Sequence, residues 1–267
     1  MATLFFIDIF LLGLIVGSFL NTIIYRLHTS EDFVFGRSKC PDCGHELAWD
    51  DLIPVFSFFV LGGKCRYCRK PISWQYPLIE LVTAILFLAV FSQNIDLFFD
   101  FLFFAVLKIT FLFYVVSSLV VIAAYDFKHY IIPNKVIFPL IGATSLWYLM
   151  SSLFFQTYSL TDLLGFVVAG FYSAAFFWVI NIATRGKGMG MGDVKLGFFM
   201  GLFLGYPSVL MALFLSFFIG SIAGLGLILF GGKKFKSEVP FAPFLVTGTF
   251  LAMLFGQWFL GFNLFRF

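Results

Sequence analysis

A chain of 267 residues that is 61% hydrophobic and only 12% charged cannot fold as a water-soluble domain, because much of any folded protein's surface must face water. Its formal net charge of +3 gives no reason to expect a nucleic-acid partner. Apolar runs of about 20 residues then read as membrane spans. In chain order they fall near 4–25, 77–92, 97–125, 134–154, 160–183, 194–206, 208–230 and 240–262. The first has no basic residue ahead of it, carries Asp8 and lacks a small-residue cleavage site, so it is expected to be retained rather than removed as a signal peptide. The third is long enough to be two short segments, because Lys108 interrupts it.

With eight spans and the amino terminus outside, the inside connections are 26–76, 126–133, 184–193 and 231–239. Fifteen of the 17 lysines and arginines fall in or beside them, Lys187, Lys233, Lys234 and Lys236 among them, and only Lys108 and Arg266 do not. That asymmetry orients the chain, with these connections cytoplasmic. The expected fold class is an all-α polytopic membrane protein of about eight transmembrane helices with a small cytoplasmic zinc-ribbon-like loop domain. Its parts are a first transmembrane helix (1–25), the loop (26–76) and a transmembrane bundle (77–267).

Every cysteine lies in the loop, as Cys40-Pro-Asp-Cys43 and Cys65-Arg-Tyr-Cys68 with 21 residues between the pairs. Two such knuckles suit tetrahedral thiolate coordination of zinc with all four positions filled by protein. Gly44 and Arg69 follow the pairs where a tight knuckle must turn, and His45, next to the first, could replace a cysteine but reads better as an exposed loop histidine. Two disulfides are the alternative, disfavoured in a reducing cytoplasm. A closed site of this kind is structural and leaves no open position for catalysis.

The remaining chemistry lies with carboxylates at membrane edges. Asp8, Asp96, Asp100 and Asp162 read as interfacial residues of the outer face. Asp126 ends the apolar run FLFYVVSSLVVIAAYD, and Asp193 follows 67 residues later, both at cytoplasmic edges. If their helices pack together, the pair cannot both ionise readily, and one can act as base on a water while the other supplies a proton, as in aspartic proteases. Two unrelated helix caps are the alternative. Ahead of Asp193, Gly186, Gly188, Gly190 and Gly192 alternate; extended, they would present bare backbone along one edge. An interhelical hinge, with Asp193 capping a helix that starts at Val194, reads the same residues without chemistry. Two further classes compete: an ion-coupled transporter, which calls for acids near mid-membrane, and an adaptor that docks a partner through the zinc loop.

GMGD at Gly190 to Asp193, followed by VKLG, resembles the GxGD signature of intramembrane aspartyl proteases. YDFKHYIIPN at Tyr125 to Asn134 resembles the other catalytic motif of bacterial type IV prepilin peptidases. GSFLNTIIYRL at Gly17 to Leu27, the cysteine-bearing loop CPDCGHELAWDDLIPVFSFFVLGGKCRYCRKPIS and YPLIEL at Tyr76 to Leu81 match the same family in order. The resemblance implies an enzyme of the bacterial cytoplasmic (inner) membrane, acting at its cytoplasmic face. It would cleave the basic leader of prepilins or pseudopilins and then methylate the new amino terminus with S-adenosylmethionine.

Asp126 and Asp193 carry over as the catalytic pair, with Gly188, Gly190 and Gly192 as the backbone beside the substrate. Gly63, Lys64 and Glu80 carry over to methyl transfer, where Glu80 could take the amine proton. Gln75, Ala242 and His28 depart from the family's usual arginine, glycine and proline. Gln75 bears on methylation, and a peptidase without that second activity is the runner-up.

Overall fold

The computed structural model describes residues 2–29, 36–95, 102–186, 188–230 and 239–260. Asp96, Asp100, Lys187, Lys233, Lys234, Lys236 and Arg266 lie outside the described residues. Among those described, every long element is a helix. They are α1 (Ala2–Thr29), α3 (Gln75–Gln93), α4 (Leu102–His129), α5 (Asn134–Phe155), α6 (Leu160–Ala183), α7 (Met191–Leu204), α8 (Ser208–Leu229) and α9 (Ala242–Leu260). Between α1 and α3 stand a 3-10 turn, Trp49–Leu52, and a short helix, α2 (Phe56–Val60).

Each expected span thus finds a helix. Among the described residues six of them, α1, α3, α4, α5, α6 and α8, are long and apolar enough to cross a membrane. At 14 residues α7 extends about 21 Å, short of a hydrocarbon core of about 30 Å. Lys108 does not split the third run: α4 is continuous and encloses that side chain, 2% exposed.

The chain forms two compact units, Met1–Val121 and Ile122–Phe267. In the first, α1 and α3 run antiparallel in a fixed register. Gly13 lies against Ala84, Gly17 against Glu80, and the Asn21 amide donates to the Tyr76 carbonyl at 3.1 Å. A Cβ at Gly17 would fall 2.6 Å from the Glu80 Cα, so only glycine lets the two backbones come this close. Lipid offers no hydrophobic drive for helices to associate, and close backbone packing through small residues supplies it instead. The Phe113 ring of α4 stacks on Phe87 of α3, centroids 3.9 Å apart.

The second unit uses the same device. Gly197 and Gly201 of α7 face Phe177 and the Ala169–Gly170 backbone of α6, and Gly248 of α9 faces Ala212 and Ser216 of α8. Tyr148 of α5 donates its hydroxyl to the Phe203 carbonyl at 2.6 Å, which ties α5 to α7. Asp162 is a helix cap in this unit. It accepts the Ser159 N–H at 2.9 Å at the start of α6 and returns its own N–H to the Ser159 hydroxyl.

Candidate active site and metal centre

Asp126 stands in the last turn of α4, which ends where Tyr130 turns to φ 57°. It is 5% exposed, and its Oδ2 accepts the N–H of Ala242 at 3.2 Å, from the first residue of α9. Asp193 is the third residue of α7, which begins at Met191 and not at Val194. Its Oδ2 reaches back to the Gly190 N–H at 3.0 Å and so satisfies one of the free amides of a helix start.

The 125–134 and 190–195 segments meet here. The Lys195 ammonium donates to the Asn134 amide oxygen at 2.8 Å, and a Cβ on Gly192 would lie 3.0 Å from that of Ile132. Asp193 stands ahead of the apolar part of α7. Burial pushes its pKa up to about 6, the Gly190 N–H opposes this, and the Asp126 carboxylate adds to it. Two carboxylates thus stand at helix termini whose flanking segments touch, and burial favours the protonated form of Asp193.

The four alternating glycines do not form one extended edge. Gly186 turns the chain at φ +74°, and Gly188 packs against Thr184, whose hydroxyl accepts its N–H at 3.1 Å. Gly192 is already helical and lies against Ile132. Only Gly190 is extended with open space beside it: the nearest atoms to an added Cβ would be the Gly192 nitrogen at 3.8 Å and the Asp193 Oδ2 at 3.9 Å. Bare backbone at the carboxylate is therefore one residue long. Asn134, Lys195, Ile132 and the Ala242 N–H were not singled out from the sequence. The first three sit inside the matching motifs, whereas the Ala242 amide leaves no mark in a residue pattern.

The four cysteine sulfurs lie within 4.8 Å of one another, with Cys40 and Cys68 3.9 Å apart. A tetrahedron with metal–sulfur bonds of about 2.3 Å has edges of about 3.8 Å, so the donor set fits a thiolate-bound metal. The knuckles are built alike. Gly44 N–H bonds to the Cys40 carbonyl and Arg69 N–H to the Cys65 carbonyl, with φ of +70° and +61° at the turning residues. Lys39 pairs with Glu46 across the first knuckle and Lys64 with Pro71 across the second. The Cys68 N–H leads in drawing the Cys65 thiol down to about 7, toward the thiolate a metal needs. His45 is not a ligand here; its ring lies on Tyr67, centroids 3.6 Å apart.

Gly63, Lys64 and Glu80 are placed by this loop. Gly63 has φ +67° and lies against the Phe58 ring, while Lys64 begins the bridge to Pro71. Glu80 is 6% exposed, and its Oε2 accepts the Val55 N–H at 2.7 Å. Val55 carries a φ of 61°, unfavourable for a β-branched residue, so the carboxylate holds a strained turn. In this arrangement Glu80 supports the loop.

Two families of sequence match the chain: the bacterial peptidase A24 N-terminal domain over residues 11–94, and the type IV leader peptidase family over residues 111–225. A prepilin leader peptidase/N-methyltransferase of Bacillus subtilis is 34% identical, over 93% of this chain and 94% of its own length. Proteins of the same name from Pseudomonas aeruginosa and Aeromonas hydrophila are 31% and 30% identical, across 89% and 92% of their lengths. No solved structure matches significantly. The matched segments take in both carboxylates and all four cysteines, and the likeness runs nearly end to end: the chain belongs to the type IV leader peptidase family.

Proposed function

We propose that this membrane protein cleaves the leader from type IV prepilins or pseudopilins at the cytoplasmic face and methylates the amino terminus that cleavage exposes. The observation that carries the peptidase reading is that the segments bearing Asp126 and Asp193 meet at the ends of α4 and α7, through the Lys195–Asn134 hydrogen bond and the Gly192–Ile132 contact. Asp126 takes a proton from water as its oxygen attacks the scissile carbonyl carbon, and protonated Asp193 gives its proton to the departing amide nitrogen. The products are a carboxylic acid and a free amine. Gly190 leaves room for extended substrate backbone beside Asp193, while Gly188 and Gly192, packed on Thr184 and Ile132, hold the flanking chain in place.

The cysteine cluster holds zinc and keeps the loop 26–76 folded between the first span (1–25) and the bundle (77–267). S-adenosylmethionine is the methyl donor that the family's second activity calls for. Gly63, Lys64 and Glu80 serve that activity by shaping the loop.

The test is cleavage of a prepilin peptide by detergent-purified protein. Asp126→Asn and Asp193→Asn should each lose several orders of magnitude in rate while remaining folded, because an amide can neither accept the water's proton nor supply one. Near-native cleavage by either variant would refute the assignment.

A further inference from the structure

Leu52 to Gly63 is a stretch of twelve residues without a charge, inside a connection that is otherwise dense in charge. Its centre is α2, and α2 is built inside out for a helix in water. Phe58 alone is buried, set between Gly63 and the Trp74 ring at 4.8 Å. Phe56, Phe59 and Val60, spaced as one helical face, are 63%, 61% and 64% exposed.

The depth of this helix follows from the elements that hold it. At 19 residues α3 extends about 28 Å, so crossing a core of about 30 Å takes its whole length and puts Gln75 at the hydrocarbon boundary. Glu80 lies five residues further along, about 7 Å inward. Its carboxylate grips the Val55 N–H, and Val55 is the residue on which α2 begins. The start of α2 is thereby anchored at or below the boundary and cannot stand off in water.

Its exposed face is also continuous with the lipid-facing side of α3. Phe59 packs on Trp74 with centroids 6.3 Å apart, and Trp74, Leu78, Val82 and Ile85 form one exposed stripe along α3. An aromatic cluster at this level suits the belt where headgroups meet acyl chains. Apolar faces of interfacial helices settle about 5–10 Å into that zone.

We propose that α2 and Trp74 form an interfacial foot: the Phe56, Phe59 and Val60 face lies in the bilayer leaflet next to the loop, and the occupant of this surface is phospholipid. The cysteine knuckles remain outside, as their charged rim of Arg66 with Asp50 and Asp51, and Lys70 with Asp42, requires.

The experiment uses the full chain in nanodiscs of phosphatidylethanolamine and phosphatidylglycerol. A benzophenone amino acid replaces Phe56, Phe59 or, as the comparison, Trp49, which is 80% exposed near the knuckles. After irradiation, mass spectrometry should find phospholipid adducts at positions 56 and 59, several-fold above position 49. Adducts to another part of the chain or to added prepilin peptide, no adduct at 56 and 59, or equal adducts at all three positions would overturn the proposal.

A second measurement avoids altering α2. With the other four tryptophans replaced by Phe, brominated phospholipid should quench Trp74 emission strongly, whereas quenching only by soluble iodide would overturn the proposal.

Discussion

Asp193 does two things with one carboxylate: it ties the Gly190 N–H at the start of α7, and it senses Asp126. Its proton is held until about pH 6, chiefly by burial. A raised carboxylate pKa means that the protonated form prevails below that value and is lost above it. If Asp193 is the acid, the cleavage rate should fall as pH rises through about 6, measured under single-turnover conditions on a prepilin peptide. A rate that instead climbs steadily through this range would assign the proton to another group. The two aspartates were legible in the sequence because acids that close apolar runs are costly and stand out. The Gly190 bond and the packing roles of Gly188 and Gly192 were not, since alternation of glycines does not tell an extended edge from a turn followed by a helix.

Helices were the most legible level. Runs apolar on every side have one folded solution in lipid, where backbone groups must satisfy one another. What pairs the helices was hidden, because a small residue marks a contact only once its neighbour is known. Gly17 against Glu80 is such a case. Glu80 stands out in turn as a support of the loop: its acceptor oxygen, more than its charge, holds Val55. Glu80→Gln keeps an oxygen there and should retain methylation of a mature peptide, whereas Glu80→Ala should lose most of it with cleavage intact. Equal loss in both variants would mean that the carboxylate itself takes the proton.

The knuckles make a parallel case. Purified protein should carry about one zinc per chain. Cys40→Ser should open residues 36–74 to protease while the membrane helices stay inserted. Absence of metal with a protected loop would leave the cysteine cluster without this role.

For the molecule as a whole, the two activities should be separable. Asp193→Asn should leave full prepilin uncut yet still methylate a peptide supplied with its mature amino terminus. Mass spectrometry of that peptide reads the result, and a missing methyl group where wild type adds one would make the dyad part of both reactions. Cleavage should also survive brief chelation, because a metal bound by all four cysteines has no free position for substrate.

The register of α1 on α3 has a mechanical consequence. Asn21 is level with Tyr76, yet α1 continues to Thr29, so the loop departs about 12 Å beyond the height at which it returns. Arg26, on this overhanging end, grips the Gly36 carbonyl at 2.7 Å. The connection is thus slung between a tall support and a short one, and the interlocked glycines stop the two from sliding past each other. Arg26 on the tall support and Glu80 on the short one, which holds the Val55 N–H, grip the connection from both sides.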